Sequence, residues 1–301
     1  MTTQPHIRGA ARTGQLVSVA LGVCIFASFT GCVDGRQSSS PASSQSPSAP
    51  RTPSSTAAPS PTKTATPAPT ESKPSEPDAP APPAASEYPW HTNIVSTTFW
   101  VGEIFDASAA DGSQEISTYD SDWLGSYGGC DGLVVGAECR TEARVSSNGY
   151  FPSSMKPREN PFYLDLPYDD INDRTGFANR DAVIPWASES AYASHRGDPS
   201  FSYMKNRWVE ITRAGAICFG QIQDAGPGEY HDAAYVFGTD DARPANSRYG
   251  GAGLDVSPAL TSCLGYPEIN GQSAVVNWRF VDTSDVPRGP WLTIVTTSQV
   301  R

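Results

Sequence analysis

Histidine is scarce in this chain, four residues in 301, and the four are scattered. There is no Cys-x-x-Cys pair, so the ligand spacing of a structural zinc site is missing and no metal is expected. A glycine-rich nucleotide loop and a Gly-x-Ser-x-Gly elbow are also absent, which removes the usual signatures of phosphate cradling and serine hydrolysis. No cofactor is expected. The chain lacks internal repeats and has little sustained helical periodicity, which argues against a solenoid or a bundle. Basic residues are outnumbered, 21 Lys and Arg against 32 Asp and Glu, so no basic patch is available for nucleic acid.

Long apolar runs are lacking as well. The run from Leu16 to Phe29 follows the basic residues Arg8 and Arg12, and polar sequence follows it too closely for a membrane span. Its layout is that of a secretory signal over 1–31. The tetrad Phe29-Thr30-Gly31-Cys32 resembles a bacterial lipobox, with Phe29 where Leu is usual, and the resemblance implies lipidation of Cys32. Residues 32–87 are almost entirely Ser, Pro, Thr and Ala, as in Ala79-Pro80-Ala81-Pro82-Pro83. That composition has too little apolar surface to offset the entropy of ordering, so a disordered tether is expected. Fully extended, fifty-odd residues would span roughly 150 Å. The expected location is the cell envelope, anchored by lipid on the outer face of the cytoplasmic membrane, or secreted.

The remaining 88–301 is long enough for one core. Of the 21 basic residues, 2 precede Cys32 and 4 lie in the tether; of the 32 acidic, none and 5. The domain therefore holds 15 basic against 27 acidic residues, a net charge of −12. Neutral glycans suit such a surface better than anionic polymers. Four cysteines remain after Cys24 and Cys32, an even number in a compartment that permits disulfides. Three pairings are open; Cys130 with Cys139 and Cys218 with Cys263 is favoured, the second stapling a strand to a helix.

Short β-rich runs punctuated by Gly, Pro, Asn and Asp make up most of the domain. Strands are expected at Thr92–Gly102, Phe162–Leu166, Arg207–Thr212, Ala216–Gln223 and Ala274–Val281, with a closing strand at Trp291–Thr297. Helices are expected at Pro185–Ala193 and Ser257–Leu264. In the second, Ser257 caps through its hydroxyl, Pro258 takes the first helical position and Gly265 marks the stop. Many short strands with irregular loops indicate a barrel or a sandwich.

The stretch Cys218–Leu264 concentrates the chemistry. One aspartate closes an apolar strand in Gln223-Asp224-Ala225-Gly226-Pro227, and another precedes the helix in Gly253-Leu254-Asp255-Val256-Ser257-Pro258-Ala259. The helix amino end favours negative charge and would hold Asp255 ionised. Together with Leu264-Gly265 and the strand Val275-Val276-Asn277-Trp278-Arg279-Phe280-Val281, these segments resemble the second half of a double-psi β-barrel of the rare lipoprotein A, expansin and family 45 glycoside hydrolase group. The resemblance covers about Ile94 to Val281, with motif-grade likeness in the last third. It implies a mainly β, six-stranded barrel with short helices and long loops, and an open polysaccharide groove. Asp255 then matches the proton donor, Asp224 the second acidic residue, and Thr97 or Thr98 the groove-facing threonine, Thr98 being carried forward. Gly226 stands where expansins carry tyrosine, and Cys130 to Asn160 has no counterpart.

Glycoside cleavage needs a carboxylic acid to protonate the leaving oxygen, and a nearby second carboxylate raises the donor's pKa by repulsion. Asp224 and Asp255 are the candidate catalytic pair. Each also has a structural alternative, Asp224 organising its turn and Asp255 helping to cap its helix. Candidate substrate contacts are Thr98, Tyr119, Asp120, His231 (its tautomer set by Asp232), and Trp123 and Trp186 as sugar platforms. Trp278 is expected in the core. Asp165, Asp169 and Asp170 read as a turn. The expected partner is a polysaccharide or peptidoglycan glycan; the alternatives are a non-catalytic expansin-like wall-binding module and a structural lipoprotein.

Overall fold

The computed structural model describes residues 88–110, 112–267 and 273–301, all within the unit Pro74–Arg301. The expected signal, Cys32 and the tether lie outside the described residues. Among the described residues there are eight strands: β1 His91–Thr98, β2 Leu133–Val135, β3 Glu138–Arg140, β4 Tyr163–Leu166, β5 Trp208–Arg213, β6 Ala216–Ala225, β7 Leu254–Val256 and β8 Ala274–Val281. Five short helices accompany them: α1 Trp123–Tyr127, α2 Arg174–Val183, α3 Ser190–Ala193, α4 Ala233–Phe237 and α5 Pro258–Cys263.

Six strands close a barrel in the order β1-β7-β4-β6-β5-β8, and β8 returns to β1. Two pairs are parallel, β1 with β7 and β4 with β6, and the other four are antiparallel. Alternation explains the wall. In β8, Ala274, Val276, Trp278 and Phe280 are buried while Val275 is exposed and Asn277 and Arg279 are partly so, a period of two that turns one face to the core. The same parity sends Ile94 of β1, Leu164 and Leu166 of β4, and Leu254 and Val256 of β7 into one apolar cluster.

Five of the expected strands are present: the first stops at Thr98 instead of Gly102, three others shift by one or two residues at one or both ends, and Ala274–Val281 matches at both ends. The closing strand at Trp291–Thr297 is not formed. Because β8 already pairs on both sides, no barrel edge is left for it. Instead Thr296 donates its N–H to Gln221 Oε1 at 2.9 Å, and Trp291 packs against Phe162 and Phe219. The helix expected at Pro185–Ala193 shrinks to α3. The longest helix among the described residues is α2, which the sequence reading missed: it has no apolar stripe and a glycine in its first turn. Asp173 caps it, accepting from Thr175 and Gly176 N–H. The buried Arg180 guanidinium then donates to the carbonyls of Asp170, Phe201, His195 and Asp198, stitching α2 to the following loop.

Both favoured disulfides are present, Cys130–Cys139 and Cys218–Cys263. The second spans 45 residues, for which loop closure alone supplies about 4 kcal/mol. It holds α5 against β6, where a side chain at Gly220 would meet Leu260 and Leu164 within 3 Å. The first ties β3 to the segment between α1 and β2, and a hydrogen bond joins this hairpin to the chain leaving β1. Trp100 Nε1 donates to Cys139 O at 3.0 Å, and Gly102, at φ +89, leaves room for Cys139 Sγ.

Candidate functional site

Three aspartates line up across adjacent strands. Asp165 of β4 is in register with Asp224 of β6 on one side and Asp255 of β7 on the other. Asp255 is in register with Thr97 of β1. The row Asp224–Asp165–Asp255–Thr97 thus crosses four strands on the face opposite the core, since Leu164, Leu166, Leu254 and Val256 point inward.

A register shift makes the row possible. Along β4 and β6, Tyr163 faces Gln221 and Leu164 faces Ile222, but Asp165 faces Asp224. The extra residue on β6, Gln223, is displaced and donates its amide to Asn206 Oδ1 at 2.9 Å. A bulge of this kind flips the parity beyond it, which brings Asp224 to the same face as Asp165.

The row has hydrogen bonds but no cation. Asp255 N–H donates to Asp165 Oδ1 at 2.9 Å, and the Thr97 hydroxyl donates to Asp255 Oδ1. Asp224 Oδ1 accepts the N–H groups of Thr118 at 2.7 Å and Ala225 at 2.8 Å. Gly226 leaves room for the Asp165 carboxyl, because a Cβ there would stand 2.9 Å from Asp165 Oδ2. Asp165 and Asp224 are 4% and 6% exposed, and Asp255 is half-buried. No Lys or Arg forms an ion pair with any of the three among the described residues.

Uncompensated burial sets the electrostatics. Burial first, then the charges of Asp255 and Asp224, holds the Asp165 carboxyl well above the usual carboxylate range. Burial pushes Asp255 up to about 7, with the Asp224 charge adding and the Thr97 N–H opposing. Asp224 rises to about 6 through burial, held back by Thr118 and Ala225. The helix end does not keep Asp255 ionised: the Ser257 hydroxyl caps α5, accepting from Leu260 N–H, while burial dominates at Asp255. A fourth acid, Glu103, sits on the segment pinned by the β2–β3 hairpin. Burial raises it to about 7, and the charge of Asp255 adds to the rise.

The Asp224 end of the row opens into a cleft of about 410 Å³ lined by Phe105, Gln114, Thr118, Asp169, Asp173 and Tyr230 among others. Phe105 and Tyr230 are 55% and 45% exposed. Asn172 Nδ2 donates to Thr118 O at 2.7 Å, tying the two loops that border the cleft.

Of the residues expected from sequence, Asp224 and Asp255 are brought to one face. Thr98 is not on it. It shares the inward parity of Ile94 and lies 3.1 Å from Thr261 Oγ1 in a hydrogen bond, so Thr97 is the threonine that stands in the acid row. Tyr119, Trp123 and Trp186 are buried, which keeps sugar faces from their rings. Trp123 packs with Phe99, Tyr127 and Tyr163, and Trp186 donates to Tyr203 O at 2.8 Å. Asp120 is buried in a turn, accepting Asp122 N–H. His231 is exposed and its Nδ1 lies 3.4 Å from Asp173 Oδ1, whereas Asp232 caps α4. Trp278 is in the core as expected.

The turn reading of the third acidic group holds for Asp169, which accepts Ile171 and Asn172 N–H. Asp170 instead anchors Ser202 and Tyr203, and Asp165 belongs to the row. Asp165, Glu103, Phe105 and Tyr230 are the site residues that sequence reasoning missed. For Asp165 a signal existed: a lone acid between two leucines in a strand faces away from the core. No protein-family model matches the chain, and no curated protein matches it.

Proposed function

We propose that this is an exported, lipid-anchored protein whose barrel belongs to the double-psi group of rare lipoprotein A, expansins and family 45 glycoside hydrolases, and that its groove binds and cleaves a wall or environmental polysaccharide. The closed barrel with two parallel pairs is compatible with that architecture. The observation that carries the reading is the cation-free row Asp224–Asp165–Asp255, with Asp255 raised to about 7. A carboxyl that keeps its proton near neutrality suits general-acid work.

In this reading Asp255 gives its proton to the glycosidic oxygen as the C–O bond breaks, and the electron pair leaves with that oxygen. Water, or a hydroxyl of the sugar itself, closes on the anomeric carbon and gives up a proton to a base. The charge of Asp224 adds to the burial that favours protonated Asp255, while Asp165 holds that strand in place by accepting Asp255 N–H. Asp224 is the partner acid or base.

One observation favours a second reading, a groove that holds glycan without cutting it, as expansins do. Asp224 Oδ1 is committed to two backbone N–H groups, which suits a structural duty better than a base. Release of soluble or anhydro sugars from purified wall separates the two. Asp255→Asn should lower release by roughly a hundredfold or more while binding persists. Equal binding with no release from either protein would leave the non-catalytic reading. Failure of the wild type to bind any glycan would sink both and leave a structural lipoprotein.

A further inference from the structure

The cleft beside Asp224 has features the acid row does not account for. Two exposed aromatic rings, Phe105 and Tyr230, border it, although buried aromatic contacts are abundant elsewhere in the domain. Gln114, also in its lining, is held by its backbone: its N–H donates to Glu103 O at 2.7 Å, and its carbonyl accepts Gly102 N–H at 2.9 Å. Its side-chain Oε1 is buried and has no hydrogen-bond partner among the described residues. A buried carbonyl oxygen without a donor is costly, and a ligand hydroxyl would satisfy it.

The charge of the lining is one-sided. Asp169, Asp173 and Asp224 contribute to it, and none of its residues is Lys or Arg. A carboxylate or phosphate on a ligand would meet repulsion and find no cationic partner. Flat apolar rings, a hydroxyl acceptor and several carboxylates together suit a polyhydroxylated ring without negative charge.

We infer that this cleft is a subsite for an uncharged sugar ring, with Phe105 and Tyr230 covering its apolar faces and Gln114 Oε1 accepting one of its hydroxyls. The inference rests on the glycan reading of the groove and narrows it: acid-bearing sugars are excluded next to Asp224. Phe105 and Gln114 set specificity there and take no part in proton transfer.

The test compares an N-acetylglucosamine tetramer with an oligogalacturonate of equal length by calorimetry at low salt, using the full chain. The wild type should bind the neutral oligomer and bind the anionic one at least tenfold more weakly. Phe105→Ala should weaken the neutral complex roughly two- to tenfold. Gln114→Leu should weaken it too, yet leave the thermal midpoint unchanged or higher, since it removes an unpaired buried oxygen; a merely structural glutamine would show the reverse. Neutral binding that survives in both variants would overturn the subsite and leave the glycan reading standing, as would equal affinity for the two oligomers. Binding of neither oligomer by the wild type would overturn both.

Discussion

Tyr163 and Asp165 stand two residues apart on the same face of β4, and each meets a buried aspartate under opposite conditions. Tyr163 donates its hydroxyl to Asp131 at 2.8 Å, where Asp131 also receives Tyr127 at 2.6 Å and the Arg144 guanidinium at 2.9 Å. Asp131 is fully buried, and its charge is answered on every side. Asp165 meets Asp224 and Asp255, and among the described residues no Lys or Arg pairs with any of them. A carboxylate surrounded by donors is part of the frame: this one joins β4 to Val101, whose N–H donates to Tyr163 Oη, and so places the segment that carries Glu103 and Phe105. Acids buried beside other acids cost stability, and they are retained where protons are needed.

The largest expected effect attacks the compensated side. Asp131→Ala leaves the buried Arg144 with one carboxylate, Glu142 at 3.5 Å, and the backbone carbonyl of residue 131 at 2.8 Å. Removing one partner from such a site costs about 3–5 kcal/mol, a large fraction of a domain's total stability of roughly 5–15 kcal/mol. Urea unfolding with the disulfides intact measures it. A loss under about 1 kcal/mol would erase the contrast with the acid row.

The row should respond with the opposite sign. Asp255 folded at about 7, against an ordinary value of 3.8, holds a proton that the unfolded chain has released at intermediate pH. Its contribution is therefore fully present below about pH 4 and is lost as pH rises through about 7. Asp255→Asn should leave stability unchanged at pH 4 and raise it at pH 8. The gain is on the order of 1–2 kcal/mol, discounted because the side chain is half-buried. His91 works the other way. Stacked on Trp278, it is pushed by burial down to about 4, so it withdraws stability as pH falls from 6.5 towards 4. Comparing wild type and variant at each pH cancels that shared term. A variant less stable than wild type at pH 8 would place Asp255 with Asp131 as a structural acid.

The contrast also separates what was legible in the sequence from what was not. Asp224 and Asp255 stand out because local signals frame them, a strand end and a helix cap. The barrel strands show in their alternation, except β7, whose three residues are too few to display a period. Asp165 carried the right parity, between Leu164 and Leu166, but its neighbours come from β6 and β7, about 60 and 90 residues later. Only the bulge at Gln223 makes Asp224 face it, and a bulge has no sequence mark of its own here. Trp123 and Trp186 were misjudged because irregular backbone suggests exposure, whereas tertiary packing buries both. For Thr97 against Thr98, parity with Ile94 decides in favour of Thr97.

That choice of threonine supplies the smallest prediction. The Thr97 hydroxyl donates to Asp255 Oδ1 and so favours the charged form. Thr97→Val keeps the β-branched shape and the backbone N–H but removes that donor. Stability should change by no more than about 1 kcal/mol, whereas the carboxyl titration of Asp255, followed by carbon NMR, should move upward by about half a unit to one unit. The matching change at the inward position, Thr98→Val, breaks its bond to Thr261 and should lower stability by a similar amount without moving the titration. If both variants left the titration in place, Thr97 would have no hold on the acid and the row would end at Asp255. If Thr98→Val moved it instead, the outward face would have been assigned to the wrong threonine.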